Sequence, residues 1–195
     1  MYLGLKDTVI PGYDGVMREA IEEMAEAMGA LLTTSLQAKG LFTGNRFAMD
    51  ISGAYASDFA RERFAEADLV IGLGVGLGAY TTESGYLYPG AQTVQIDIGP
   101  RGLWQGLRTA DLHIRADAKA AAEAVTAAIK RHGASGKRFR SDEMAALIAA
   151  DVPDRKEFTI APGTVDPRKA IMELDAIVPK DWDVVIGGGH YLGFA

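Results

Sequence analysis

Residues 67–100 read ADLVIGLGVGLGAYTTESGYLYPGAQTVQIDIGP, and this stretch limits the fold more than any other part of the chain. Leu69–Leu73 and Thr93–Ile98 are near-continuous apolar runs rich in β-branched residues. Runs of that kind suit parallel strands covered on both faces by helices. Gly72, Gly74, Gly76 and Gly78 gather at the carboxyl end of the first run, where a backbone must turn sharply or approach a ligand closely. Asp97 closes the second run, at a place where a ribose hydroxyl is commonly held. The layout is that of a nucleotide crevice, with Gly74, Gly76 and Asp97 as its candidate residues. Spaced glycines are a weak signal alone, and the same residues could serve only to turn the chain. In the strict dinucleotide fingerprint the last glycine opens a helix, whereas Ala79-Tyr80-Thr81-Thr82 carries no strong helical pattern.

At 195 residues the chain can bury one sizeable core and part of a second. No apolar run approaches the roughly 20 residues that span a bilayer, and the N-terminus lacks a basic region followed by an apolar stretch. A cytoplasmic location with no membrane partner is therefore expected. A net charge of −6 argues against a nucleic-acid surface, which needs clustered cations to replace phosphate counterions. The richest basic stretch, Lys137-Arg138-Phe139-Arg140, is short and reads as a solvated helix start or linker. With no cysteine, disulfides, thiolate nucleophiles and sulfur-ligated metals are excluded. His113, His132 and His190 are too scattered to suggest a metal site, so no metal ligands are expected within this chain.

Periodicity orders the rest. Thr8-Val9-Ile10-Pro11-Gly12 is a strand candidate, and Val16–Met28 is a helix with Met17, Ile21, Met24 and Met28 at core spacing. Gly29 ends that helix and Ala30–Ser35 reads as a second strand. A loop bearing Gly40, Gly44 and Gly53 leads to a helix over Ser57–Ala67 with Ser57 as its cap. After the two central strands come a short apolar segment at Leu103-Trp104, a strand at Leu112-His113-Ile114 and an alanine-rich helix over Ala118–Lys130. Strands alternating with helices imply an α/β fold with a doubly wound parallel sheet. The character changes over 131–165, which reads as a linker carrying one helix at Glu143–Ala150. Asp166-Pro167 caps a helix through Leu174, and Asp183-Val184-Val185-Ile186 begins a strand that opens into Gly187-Gly188-Gly189-His190. The division expected is a central Rossmann-like domain over 1–130, the linker, and the first helix and strand of a second α/β domain over 166–195. A strand's glycine-rich end with no crossover after it points to a partial product cut early in that second domain.

Taken in order, these segments resemble the thiamine-diphosphate-dependent enzymes of the acetolactate synthase and 2-oxoacid decarboxylase group. The stretch Ala30–Phe42 is similar to the family's second strand and following loop. Ala67-Asp-Leu-Val-Ile-Gly-Leu-Gly74 and Val94-Gln-Ile-Asp-Ile-Gly-Pro100 resemble its "AD-apolar-G" and "ID-x-D-P" segments. Ala110-Asp-Leu-His-Ile-Arg-Ala-Asp117 resembles the strand that closes the central domain. The resemblance covers Thr8–Ala128 as the central of three domains and Val178–Ala195 as the start of the diphosphate-binding one.

The resemblance implies thiamine diphosphate and Mg²⁺ as cofactors of a full-length parent, a 2-oxo acid as its substrate, and a dimer or tetramer of like subunits. In relatives the glycine-rich turn after Val185-Ile186 lies beside the cofactor's phosphates, so Gly188, Gly189 and His190 are the inherited candidates for holding them. The alternative for His190 is a loop histidine bonded to nearby backbone. Flavin-binding members typically carry an arginine in the turn after the central strand, where this chain has Gly76 and Leu77, and Gly99 stands where a second acid is usual. Tight FAD binding is therefore not expected. The family's activating glutamate and its metal-binding elements have no counterpart here, so the chain alone is expected to be inactive, a structural and nucleotide-binding part of a lyase or transferase. The alternative is a free-standing nucleotide-binding or regulatory domain of the same fold.

Overall fold

A computed structural model describes residues 2–3, 14–99, 110–133, 139–151, 157–182 and 184. The chain divides into two compact units, Met1–Asp154 and Arg155–Ala195.

The first unit holds β1 (Tyr2–Leu3), α1 (Asp14–Met28), β2 (Leu32–Thr34), β3 (Ala48–Ile51), α2 (Asp58–Ala65), β4 (Leu69–Leu73), α3 (Ala79–Thr82), β5 (Gln92–Asp97), β6 (Leu112–Arg115), α4 (Ala118–His132) and α5 (Asp142–Ala150). The four ladders among the described residues are parallel: β1 with β4, β4 with β5, β5 with β6, and β2 with β3. β1 also contacts β2 across the gap between the two sheets, giving the spatial order β3-β2-β1-β4-β5-β6. The order reverses between β1 and β4, which is the switch point where α/β sheets open a crevice at the strands' carboxyl ends. The doubly wound parallel sheet expected from the sequence is the fold of this unit.

The period-2 geometry of a strand sends neighbouring residues to opposite faces, and β4 shows it directly. Ile71 and Leu73 pack with Ile21, Met24 and Ala122 under α1 and α4, whereas Val70 packs with Ala60, Phe64 and Leu87 on the other face. Met24 and Ile21 are wholly buried, and full burial of one such side chain stabilises by roughly 1.5–3 kcal/mol. α5 joins the second face, where Met144 and Ile148 pack against the same cluster as Phe64.

Helix boundaries follow capping chemistry. Ser57 accepts from Ala60 N–H at 3.1 Å, and its hydroxyl also donates to the Asp151 carboxylate at the end of α5. Ser57→Ala removes the cap and this tie together, so unfolding in urea should show a loss of about 1–2 kcal/mol. Asp117 caps α4 by accepting from Ala120 N–H, and Gly133 closes it in the left-handed region at φ 65°.

The structure departs from the sequence reading at three described places, the first being β1 at Tyr2–Leu3, where no strand is expected. β3 lies inside what reads as a loop, and Ala79–Thr82 forms a single helical turn where no helical pattern is evident. The strand expected over 8–12, the segment at Leu103-Trp104 and the strand from Asp183 fall outside the described residues.

In the second unit α6 (Pro167–Ile177) begins at Asp166, which accepts from Arg168 N–H at 3.0 Å. Arg168 also returns its guanidinium to both carboxylate oxygens, with Nε 3.0 Å from Oδ1 and Nη2 2.6 Å from Oδ2. Those hydrogen bonds hold the Asp166 carboxyl below its usual range. A depressed carboxyl stabilises above its unfolded pKa of about 3.9 and loses that contribution as pH falls through the folded value. An NMR titration should therefore find the Asp166 midpoint below that of a free aspartate, and Arg168→Ala should return it upward.

Candidate functional site: the crevice at the sheet switch point

The glycine-rich turn is built by β4 running out beyond its ladder. Gly74 N–H still donates to Ile96 O at 2.8 Å, and the chain then turns with Gly74 at φ 61°, a left-handed conformation that strains residues with a Cβ. Val75 and Leu77 fold inward and are buried. Gly76 O accepts from Gly78 N–H at 2.7 Å, which tightens the loop before α3. Thr82 locks the far end, its hydroxyl donating to Gly78 O at 3.1 Å and accepting from Gly85 N–H at 3.0 Å.

Gln95 supports this turn from below. It lies in the middle of β5, is buried, and its Nε2 donates to Val75 O at 2.9 Å. A polar side chain inside an apolar strand needs such a partner. In the sequence Gln95 shows only as a lone amide within Thr93-Val94-Gln95-Ile96.

The loops after β3 and β4 are joined by main chain. Ala54 N–H donates to Tyr80 O at 2.8 Å and the Ser52 hydroxyl donates to Thr81 O at 3.1 Å. Between them Gly53 sits at φ 88°, and a Cβ there would fall 2.0 Å from Tyr80 O. Arg61 braces the same junction, donating to Ala54 O and Ala56 O at 3.2 Å and pairing with Glu83. Neither Gly53 nor Arg61 stands out in the sequence, because their contacts depend on how the segments after β3 and β4 meet.

Asp97 lies at the carboxyl end of β5, one strand from the glycine turn, so the structure brings Gly74, Gly76 and Asp97 to one edge of the sheet. The Asp97 side chain is 3% exposed, and its Oδ1 accepts from Gly99 N–H at 3.1 Å, fixing the turn that follows the strand. Its register partner on β6 is Arg115, an exposed cation whose Nε donates to Ile98 O at 3.1 Å. Gly188, Gly189 and His190 lie outside the described residues.

Along this edge the described residues offer backbone N–H and C=O groups, threonine hydroxyls, the exposed Tyr80 and two arginines with defined partners. Among the described residues no group of three or more histidines and carboxylates could hold a metal ion, and no helix is long and apolar enough to cross a membrane.

Comparison with known proteins accords with this architecture. Residues 9–125 match the family described as "Thiamine pyrophosphate enzyme, central domain". An acetolactate synthase of Mycobacterium avium is 28% identical over 181 residues, covering 90% of this chain and 29% of the relative. An acetolactate synthase of Mycobacterium bovis and the acetolactate synthase large subunit IlvB1 of Mycobacterium tuberculosis are each 27% identical over 184 residues, again 29% of their length. The chain thus spans under a third of the length of these relatives. With more than half of its residues inside the match, the chain belongs to the thiamine pyrophosphate enzymes and carries their central domain.

Proposed function

We propose that this chain serves as the central domain of a thiamine-diphosphate-dependent enzyme that decarboxylates or joins 2-oxo acids, in the manner of an acetolactate synthase. The observation that carries the reading is the glycine turn at the switch point of a parallel sheet, inside a segment that matches the family's central domain. Bound thiamine diphosphate, with Mg²⁺, supplies the nucleophilic carbon and the electron sink that such chemistry needs.

The described residues contribute a scaffold. The joined loops at Gly53 and Tyr80, with Gln95 beneath Val75, give a crevice of fixed shape in which a nucleotide could be held by Gly74 and Gly76. Asp97 acts there through the turn it fixes with Gly99. Tight flavin binding does not belong to this reading, since Gly76 and Leu77 bring no guanidinium to the turn and Arg61 is engaged with Glu83. The domain division we adopt is 1–130 for the central domain, 131–165 for a connection whose helix α5 packs back onto that domain, and 166–195 for the beginning of the diphosphate-binding domain. The enzyme would act in the cytoplasm as a dimer or tetramer.

The phosphate contacts are assigned to Gly188, Gly189 and His190, since successive backbone N–H groups in a glycine turn form anion-binding concavities. In a protein joining this chain to the family's other two domains, Gly189→Val should weaken thiamine diphosphate binding by blocking close approach. His190→Ala should cost about one hydrogen bond to a charged acceptor, roughly 1.5–3 kcal/mol. Calorimetric titration of the cofactor into both variants tests the assignment, and unchanged affinity in each would remove it.

A further inference from the structure

A second concavity lies at the opposite end of the sheet from the crevice. It borders the turn from α1 into β2, the last turn of α2 and the start of β4, and has a volume of about 220 Å³. Met28, Leu31, Met49, Phe64, Val70 and Phe139 are among its wall residues, with Arg63 and Asp68 as the charged members. It is partly open to solvent and reaches in to Phe64 and Val70 of the core. An engineered apolar cavity of about 150 Å³ accepts benzene, so this one has room for a substituted ring.

The wall is held in place. Phe139 precedes Arg140, whose Nε donates to Ala30 O at 2.7 Å and whose guanidinium lies 4.7 Å from the centre of the Phe47 ring. The wall carries one charge of each sign. Arg63 stacks on Phe59 at 5.2 Å and pairs through Nη2 with Glu66 at 2.9 Å, so its charge is already balanced. A charged molecule of either sign would meet a like charge there, the Asp68 carboxylate for an anion and the Arg63 guanidinium for a cation, and would also give up its hydration against a largely apolar wall. A neutral molecule meets neither cost, and a guanidinium edge still favours one hydrogen-bond acceptor.

We propose that this cavity, lined by Met28, Met49, Phe64 and Arg63, is a binding site for a small uncharged and largely apolar molecule bearing a single acceptor oxygen. The site is separate from the switch-point crevice and does not depend on the cofactor reading above.

The test uses the whole chain and follows the methyl resonances of Met28 and Met49 by NMR while acetophenone, isopropylbenzene or benzoate is added. Acetophenone should give saturable shifts confined to Met28, Met49, Leu31 and Val70. Isopropylbenzene, which lacks the acceptor, should bind about fivefold more weakly, the worth of one ordinary hydrogen bond, and benzoate should give no saturable shift. Arg63→Met, which removes the donor, should erase the preference for acetophenone over isopropylbenzene, and Ala67→Leu, which narrows the cavity, should weaken both. Benzoate binding best, saturable shifts centred elsewhere, or no saturation with either neutral probe would overturn the proposal. These comparisons on the unaltered chain decide the matter even if a variant does not fold.

Discussion

Gly53→Ala should be among the most damaging single substitutions in the first unit. The new Cβ would sit 2.0 Å from Tyr80 O and 2.8 Å from the Thr81 main chain, and neither backbone group can rotate away. The residue would also be held at φ 88°, where a side chain is strained. Overpacking and backbone strain together should cost roughly 2–4 kcal/mol. The hydrogen bonds that join the two crevice loops, Ala54 N–H to Tyr80 O and Ser52 to Thr81 O, should open first. Equilibrium urea unfolding gives the stability, and amide exchange at Ala54 reports the local opening. A variant with unchanged midpoint and unchanged Ala54 protection would show that the loops do not approach as closely as described.

Gln95→Ala should have the next largest effect and should act on the glycine turn. It removes the donor to Val75 O inside the core and leaves a space beneath a turn whose Val75 and Leu77 are buried. An unpartnered buried carbonyl and the lost packing should together cost about 2–3 kcal/mol. Gln95→Met separates the two contributions, because it nearly keeps the volume while removing the amide donor and adding no charge. If thermal unfolding of the Ala variant matched the parent, Gln95 would not be what holds the turn.

Much of the sheet is legible because its central strands carry their own signal. Leu69–Leu73 is read from the sequence with the limits it has in the structure, and Thr93–Ile98 differs from β5 by one residue at each end. Long apolar runs and the spacing of Met17, Ile21 and Met24 need no knowledge of distant contacts. β3 is different. Ala48-Met49-Asp50-Ile51 is short, mixed in character and flanked by glycine-containing turns, and its strand form is set by pairing with Leu32–Thr34.

The candidate site divides the same way. Asp97 at a strand end was visible, but the inward turn of its carboxyl onto Gly99 N–H was not, because it depends on the conformation after β5. Arg115 becomes Asp97's neighbour only through the parallel register of β5 and β6. The motif Ala110-Asp111 has a structural use that its resemblance to relatives does not reveal. Asp111 Oδ2 accepts from Thr93 N–H at 2.7 Å and so fixes the start of β5 against β6.

Assay of the 195-residue chain itself tests most directly whether it acts as a central-domain scaffold. The purified chain, supplied with pyruvate, thiamine diphosphate and Mg²⁺, should release no CO₂ and form no acetolactate above a heat-denatured control, while retaining its cooperative unfolding transition. Turnover that disappears on denaturation would contradict a scaffold role and would place catalytic machinery within these residues.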